Sequence, residues 1–240
     1  MDAAAFAGKL AALQESGPMN VLTILRSVEE LLYEVMSWLL FYPRTLFMTL
    51  RHPIKTMRYS DSEQRDKPDQ QYLETLSPPL FLVLSILLAH GIEMAFGFRV
   101  EGGGHTALGR MVTGSDQNLL AYRALIFSLS PLLFAWTFLK LSGRKIDRDT
   151  LRTPFFSQCY LAGATAILIS LATLGVRDPR EWTTLAGVAV VLIVTVWYLV
   201  IQHRWLMQVA GVTRPRAWFW SIGTFGAAMG MMVAVNLVAS

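Results

Sequence analysis

The chain has 240 residues, of which 53% are hydrophobic and only 16% charged, with a net charge of +4. Soluble domains carry about 25% charged residues, so a water-soluble globule of this composition would expose too much apolar surface. A single cysteine, Cys159, excludes an internal disulfide framework and any cysteine-rich metal centre, and no basic run is interleaved with aromatics as a nucleic-acid face requires.

Residues 1–20 are alanine-rich and broken by Gly17 and Pro18. They lack the basic then apolar order of a signal peptide, so the first span is expected to act as its own insertion signal. From Val21 to Leu50, the residues Leu22, Leu25, Val28, Leu32, Val35, Met36 and Leu39 recur at spacings of three and four. Arg26, Glu29, Glu30 and Glu34 lie off that stripe, which predicts an amphipathic helix. Pro43 is expected to stop or kink it, and Pro53 to end a short second helix. Charges cost too much at mid-bilayer, so this segment is read either as an interfacial helix on the inner leaflet or as a helix packed under the bundle. The stretch from Tyr59 to Gln71 is polar and turn-rich and predicts a mobile linker.

Leu80 to Phe98 is long enough to cross a bilayer, since about 20 apolar residues span the hydrocarbon core. Spans are predicted at about 79–98, 119–141, 154–174, 184–201 and 218–238. The fold class is therefore all-α: a polytopic bundle of five transmembrane helices over 78–240, preceded by a cytoplasmic region over 1–77. Lys and Arg crowd the N-terminal region and the second and fourth connections. The positive-inside rule then puts the N-terminus in the cytoplasm and the C-terminus outside. Arg44, Arg51, Lys55, Arg58, Arg144, Lys145, Arg148, Arg152, Arg214 and Arg216 would face anionic headgroups of the inner leaflet. Trp182 on one side, and Trp205, Trp218 and Trp220 on the other, are placed as interfacial anchors.

Small residues let membrane helices approach closely. Ala162, Ala166 and Ser170 recur in the third span, and Gly223, Gly226 and Gly230 in the fifth. These predict packing within one bundle, with a homodimer through Gly226 and Gly230 as the alternative. Pro131 predicts a kink in the second span, with Ser128 or Ser130 taking up a freed carbonyl.

His90 and Glu93 share a helix face in the first span, and Arg123 enters the second at similar depth. Two readings stand. The cluster is a proton relay, ion site or headgroup contact, or it is an ion pair tethering two helices. A metal would want a third ligand, and His105 in the outer loop has no spacing that fixes it there. Gln158 and Tyr160 either line a vestibule or bond between helices, and Asn236 reads as interhelical glue. No nucleotide, hydrolase or zinc-protease motif occurs, so neither an enzymatic role nor a cofactor is expected.

Three stretches carry a resemblance. They are the Pro43 to Phe47 lead-in, the basic connection SGRKIDRDTLRTPFFSQCYLAG, and HRWLMQVAGVTRPRAW at the entry of the last span. From about Trp38 onward the chain resembles the bacterial branch of the Yip family, multipass proteins that interact with small GTPases. The resemblance implies five helices and a cytoplasmic N-terminus; the amphipathic segment and the basic face add a non-enzymatic scaffold working through lipid or protein partners, with a second copy as the alternative partner through Gly226 and Gly230. The alternative is a small permease or lipid-handling carrier in the bacterial inner membrane that uses His90, Glu93 and Arg123.

Overall fold

A computed structural model of the chain describes residues 21–67, 70–97 and 106–239. Among the described residues there are eight helices and no strand. They are α1 (Val21–Arg51), α2 (Pro53–Glu63), α3 (Pro78–Ala95), α4 (Ala107–Thr113), α5 (Asp116–Leu141), α6 (Arg148–Arg177), α7 (Glu181–Ala210) and α8 (Arg214–Ala239). Helices α3, α5, α6, α7 and α8 are long and apolar enough to cross a bilayer, so the chain is an all-α multipass membrane protein.

The chain divides into two units, Met1–Pro43 and Arg44–Ser240. The described part of the first is the leading stretch of α1. Among its described side chains Val28, Leu32, Met36 and Leu39 of the apolar stripe are exposed, while Trp38 Nε1 donates to Glu34 Oε2 at 3.0 Å. The helical assignment passes through Pro43. Proline 53 does not end a helix but begins one: it stands at the first turn of α2, where a missing N–H costs nothing.

In the second unit α6 is the central element and packs against α2, α3, α5 and α7. One core cluster joins Met57 of α2, Phe138 of α5, Leu161 of α6, Trp205 of α7 and Ala217 of α8. A second joins Leu82 and Ile86 of α3 to Cys159 and Ala162 of α6, so Cys159 is a small buried hydrophobe. Trp205, expected as an interfacial anchor, is 1% exposed with its ring 5.2 Å from that of Phe138, whereas Trp182 is 67% exposed.

Two boundaries differ from expectation for local reasons. Helix α6 begins at Arg148 rather than near Pro154, because Asp147 and Thr150 form a reciprocal capping box that satisfies the first turn. Helix α7 runs on to Ala210 and ends at Gly211, whose φ of +63° suits a residue without Cβ. The polar run Gln202–His203–Arg204 looked like the end of a span. Gln202 is instead satisfied inside the bundle by Gln158.

The predicted linker over 59–71 needs correction. Its first part is the last turn of α2, which docks on the polar ends of α6 and α7. Thr56, Met57 and Ser60 are buried. Arg58 Nη2 donates to Gln208 Oε1 at 2.8 Å, and the Asp61 carboxylate accepts from the Ser157 hydroxyl. Farther on, Tyr160 Oη donates to the Leu76 carbonyl at 2.7 Å. These polar side chains find polar partners on the bundle.

This docking gives an inverted pH response. Burial raises the Asp61 carboxyl above its ordinary value, against the opposing effects of the Ser157 hydroxyl and of Arg65, Arg144 and Arg58. A carboxyl raised on folding contributes stability that is complete below its unfolded pKa and fades as pH climbs through the folded one. The protection of α2 amides, taken relative to the intrinsic exchange rate at each pH, is therefore expected to rise when pH is lowered from neutral toward the carboxylate range. Asp61→Asn should flatten that dependence, and protection that falls on acidification would refute it.

Candidate functional site

Two of the three intramembrane ionisable residues, Glu93 and Arg123, meet near the end of the bundle opposite the 142–147 connection. Arg123 Nη2 of α5 donates to Glu93 Oε2 of α3 at 2.8 Å, and both side chains are largely covered, at 18% and 12% exposure. Ser170 Oγ of α6 lies 3.3 Å from both Glu93 Oε1 and the Ala89 carbonyl. Three helices are thus joined at one carboxylate. A charge in this setting is tolerable only with such a partner.

His90 does not join them. It is buried on α3, and neither Nδ1 nor Nε2 has a hydrogen-bond partner among the described residues. Glu93 and Arg123 come together as the helix-tether reading expects, with Ser170 as a third member that the sequence marked only for its size. His105 lies outside the described residues. No group of three or more His, Cys, Asp or Glu able to hold a metal ion occurs among the described residues.

A second polar contact sits toward the other end. The amides of Gln158 (α6) and Gln202 (α7) exchange two hydrogen bonds, 2.9 and 2.6 Å, and both residues are buried. Neither Gln158 nor Tyr160 lines a vestibule; each closes a contact. Tyr122 Oη donates to Asn236 Oδ1 at 3.0 Å, joining α5 to α8. Ser128 donates to the Ala124 carbonyl and Ser130 pairs with Tyr198 Oη at 2.7 Å, so neither serine takes the Phe127 carbonyl that Pro131 leaves free.

The packing glycines differ from those expected. Ala162, Ala166 and Ser170 are buried on α6. A Cβ added at Gly223, Gly226 or Gly230 would meet no atom within 4 Å, and all three are exposed, so they do not pack inside this bundle. The close approaches lie elsewhere. A Cβ at Gly163 would come 2.8 Å from the Phe81 ring, and one at Gly187 would come 2.5 Å from the backbone nitrogen of Val176.

A cavity of about 310 Å³ lies between α5, α6, α7 and α8. Phe127, Phe225 and several methionines and aliphatic residues line it, with hydroxyls from Ser130, Thr165, Thr195 and Tyr198. It contains none of His90, Glu93 or Arg123. Of these hydroxyl residues the sequence set apart only Ser130, and for its place beside Pro131.

All ten basic candidates are exposed. Arg44 pairs with Glu74 at 2.9 Å, Lys145 lies 3.9 Å from Asp147, and Arg58 is held by Gln208. Arg148, Arg152, Arg214 and Arg216 lie with the 142–147 and 211–213 connections at the end where α2 docks.

Comparison with protein-family models, with curated proteins and with solved structures returned no match.

Proposed function

We propose that this membrane protein is a non-enzymatic scaffold of the Yip-like type, which organises lipid or protein partners at the cytoplasmic face of a bacterial inner membrane. In this reading the basic end of the bundle faces the cytoplasm, the N-terminus lies with it and the C-terminus is outside, following the positive-inside rule. The single observation that carries the scaffold reading is the Glu93–Arg123–Ser170 contact. The carboxylate on which a carrier or proton relay would depend is engaged by two neighbouring helices. The basic end meanwhile offers guanidinium groups to anionic headgroups, each worth up to about 1 kcal/mol near the surface.

A lipid-handling carrier is the second reading, favoured by the cavity between α5 and α8 with its mixed hydroxyl and apolar lining. The two separate in vesicles of phosphatidylcholine containing phosphatidylglycerol. The reconstituted full chain is expected to gather labelled phosphatidylglycerol around itself, less so as salt rises. Labelled lipid should cross between leaflets no faster than in protein-free vesicles. Accelerated crossing would favour the carrier, and indifference to phosphatidylglycerol would remove the lipid part of the scaffold.

A further inference from the structure

We propose that a pocket of about 570 Å³ between α5 and the start of α6 is a binding site for one anionic phospholipid, with the headgroup phosphate at Arg148 and Arg152 and an acyl chain along Leu132, Phe155 and Phe156. The proposal rests on the membrane reading above and sharpens its lipid part from a diffuse basic face to a single place.

Two features of the lining commit the site to a phospholipid. The first is charge. Arg148 and Arg152 stand one turn apart on α6, both exposed, and among the described residues neither is ion-paired. Asp149 also lines the pocket, leaving a surplus of one positive charge. Arg152 Cζ lies 5.2 Å from the Phe156 ring, a stacking that holds a guanidinium plane in place for a phosphate. The first-turn N–H of Thr150 is already taken by Asp147, so the anion's partners here are the guanidinium groups.

The second is depth. Leu132 lies about 13 Å back along α5 from the helix end at Leu141, and Phe155 about 10 Å along α6 from Arg148, at 1.5 Å per residue. The pocket therefore runs about 10 Å or more along both helices, from the end that carries Arg148 toward the membrane interior. Its inner part is wholly apolar: Leu132, Leu151, Phe155 and Phe156. A free phosphate would use only the mouth, and an uncharged lipid only the interior. An anionic phospholipid matches both, in the manner of basic pockets between transmembrane helices.

The test uses the full chain, reconstituted with equal amounts of phosphatidylglycerol and phosphatidylcholine and then extracted in mild detergent. Co-purifying lipid is counted by native mass spectrometry. The wild-type chain is expected to retain phosphatidylglycerol, and Arg148→Gln with Arg152→Gln to reduce that retention about tenfold. Leu132→Trp, at a position already exposed, should fill the apolar part and lower retention without touching a charge. Lys67→Gln with Arg204→Gln removes the same charge from exposed positions outside the pocket and should leave retention unchanged. Equal loss in both double variants, or displacement of the lipid by inorganic phosphate, would overturn the pocket. Retention unaffected at Arg148 and Arg152 would also overturn it, while leaving the wider basic face standing. No preference for phosphatidylglycerol in the wild-type chain would overturn both.

Discussion

Arg123→Ala is expected to destabilise the bundle by about 3 kcal/mol or more, because it strands the Glu93 carboxylate among helices with only the Ser170 hydroxyl left to it. Breaking a covered ion pair from one side costs far more than the pair contributes, since the remaining charge keeps its desolvation penalty and loses its partner. Glu93→Ala should behave similarly by leaving the guanidinium. Replacing both, as Glu93→Leu with Arg123→Leu, is expected to recover most of the loss, because a well-packed apolar pair carries no desolvation penalty. Unfolding in detergent, followed as a double-mutant cycle, reads the coupling directly. If Arg123→Ala and the double leucine variant are equally damaged, the contact is not the tether described here. If the single variants retain full stability, the carboxylate has another partner and the scaffold reading loses its main support.

Gly187→Ala is expected to prevent α6 and α7 from packing. The added Cβ would sit 2.5 Å from Val176 N, 2.7 Å from Ala172 O and 2.9 Å from Gly175 C. All three are backbone atoms of α6, so no side chain can turn aside and the helices themselves must part. Overpacking in a core costs about 1–3 kcal/mol when side chains can give, and the upper end or beyond is expected here. Gly163→Ala makes a useful contrast, since its closest neighbours are the Phe81 ring and Ser85 Oγ, which can shift. Gly226→Ala should change stability by no more than about 0.5 kcal/mol, as at an ordinary surface position. Melting temperatures of the three variants in one detergent would rank them. A damaging Gly226→Ala beside a benign Gly187→Ala would show that the helix contacts are misassigned.

The GxxxG spacing of Gly226 and Gly230 predicts packing within the bundle, yet the face that carries it meets no other described helix of this chain, for a reason that generalises. Spacing along one helix shows that small residues share a face, but not that a neighbour lies against it. Gly175 and Gly187 oppose each other across two helices, so no periodicity within either reveals them. Gly175 also stands just past residue 174, where the third span was expected to stop. The polar stretches misled in a related way. Composition treats Gln202, Arg58 and Asp61 as facing water, because it cannot know that Gln158, Gln208 and Ser157 will be opposite them.

What the sequence determined by itself is the number of spans, the helical class, the segregation of Lys and Arg to one end, and the chance for Glu93 and Arg123 to meet. Each follows from local chemistry: bilayer thickness sets the length of an apolar run, lipid forbids unpaired backbone, and an ionised side chain in a span needs an opposite charge at its own depth. Tertiary structure alone decided that α6 is the hub, that α2 docks instead of trailing as a linker, that His90 stands apart from the ion pair, and which glycines bear the close contacts. Those outcomes depend on which faces turn toward one another. In a membrane that is set by shape and by pairing between distant polar groups, because hydrocarbon surrounds every apolar face alike and does not choose among them.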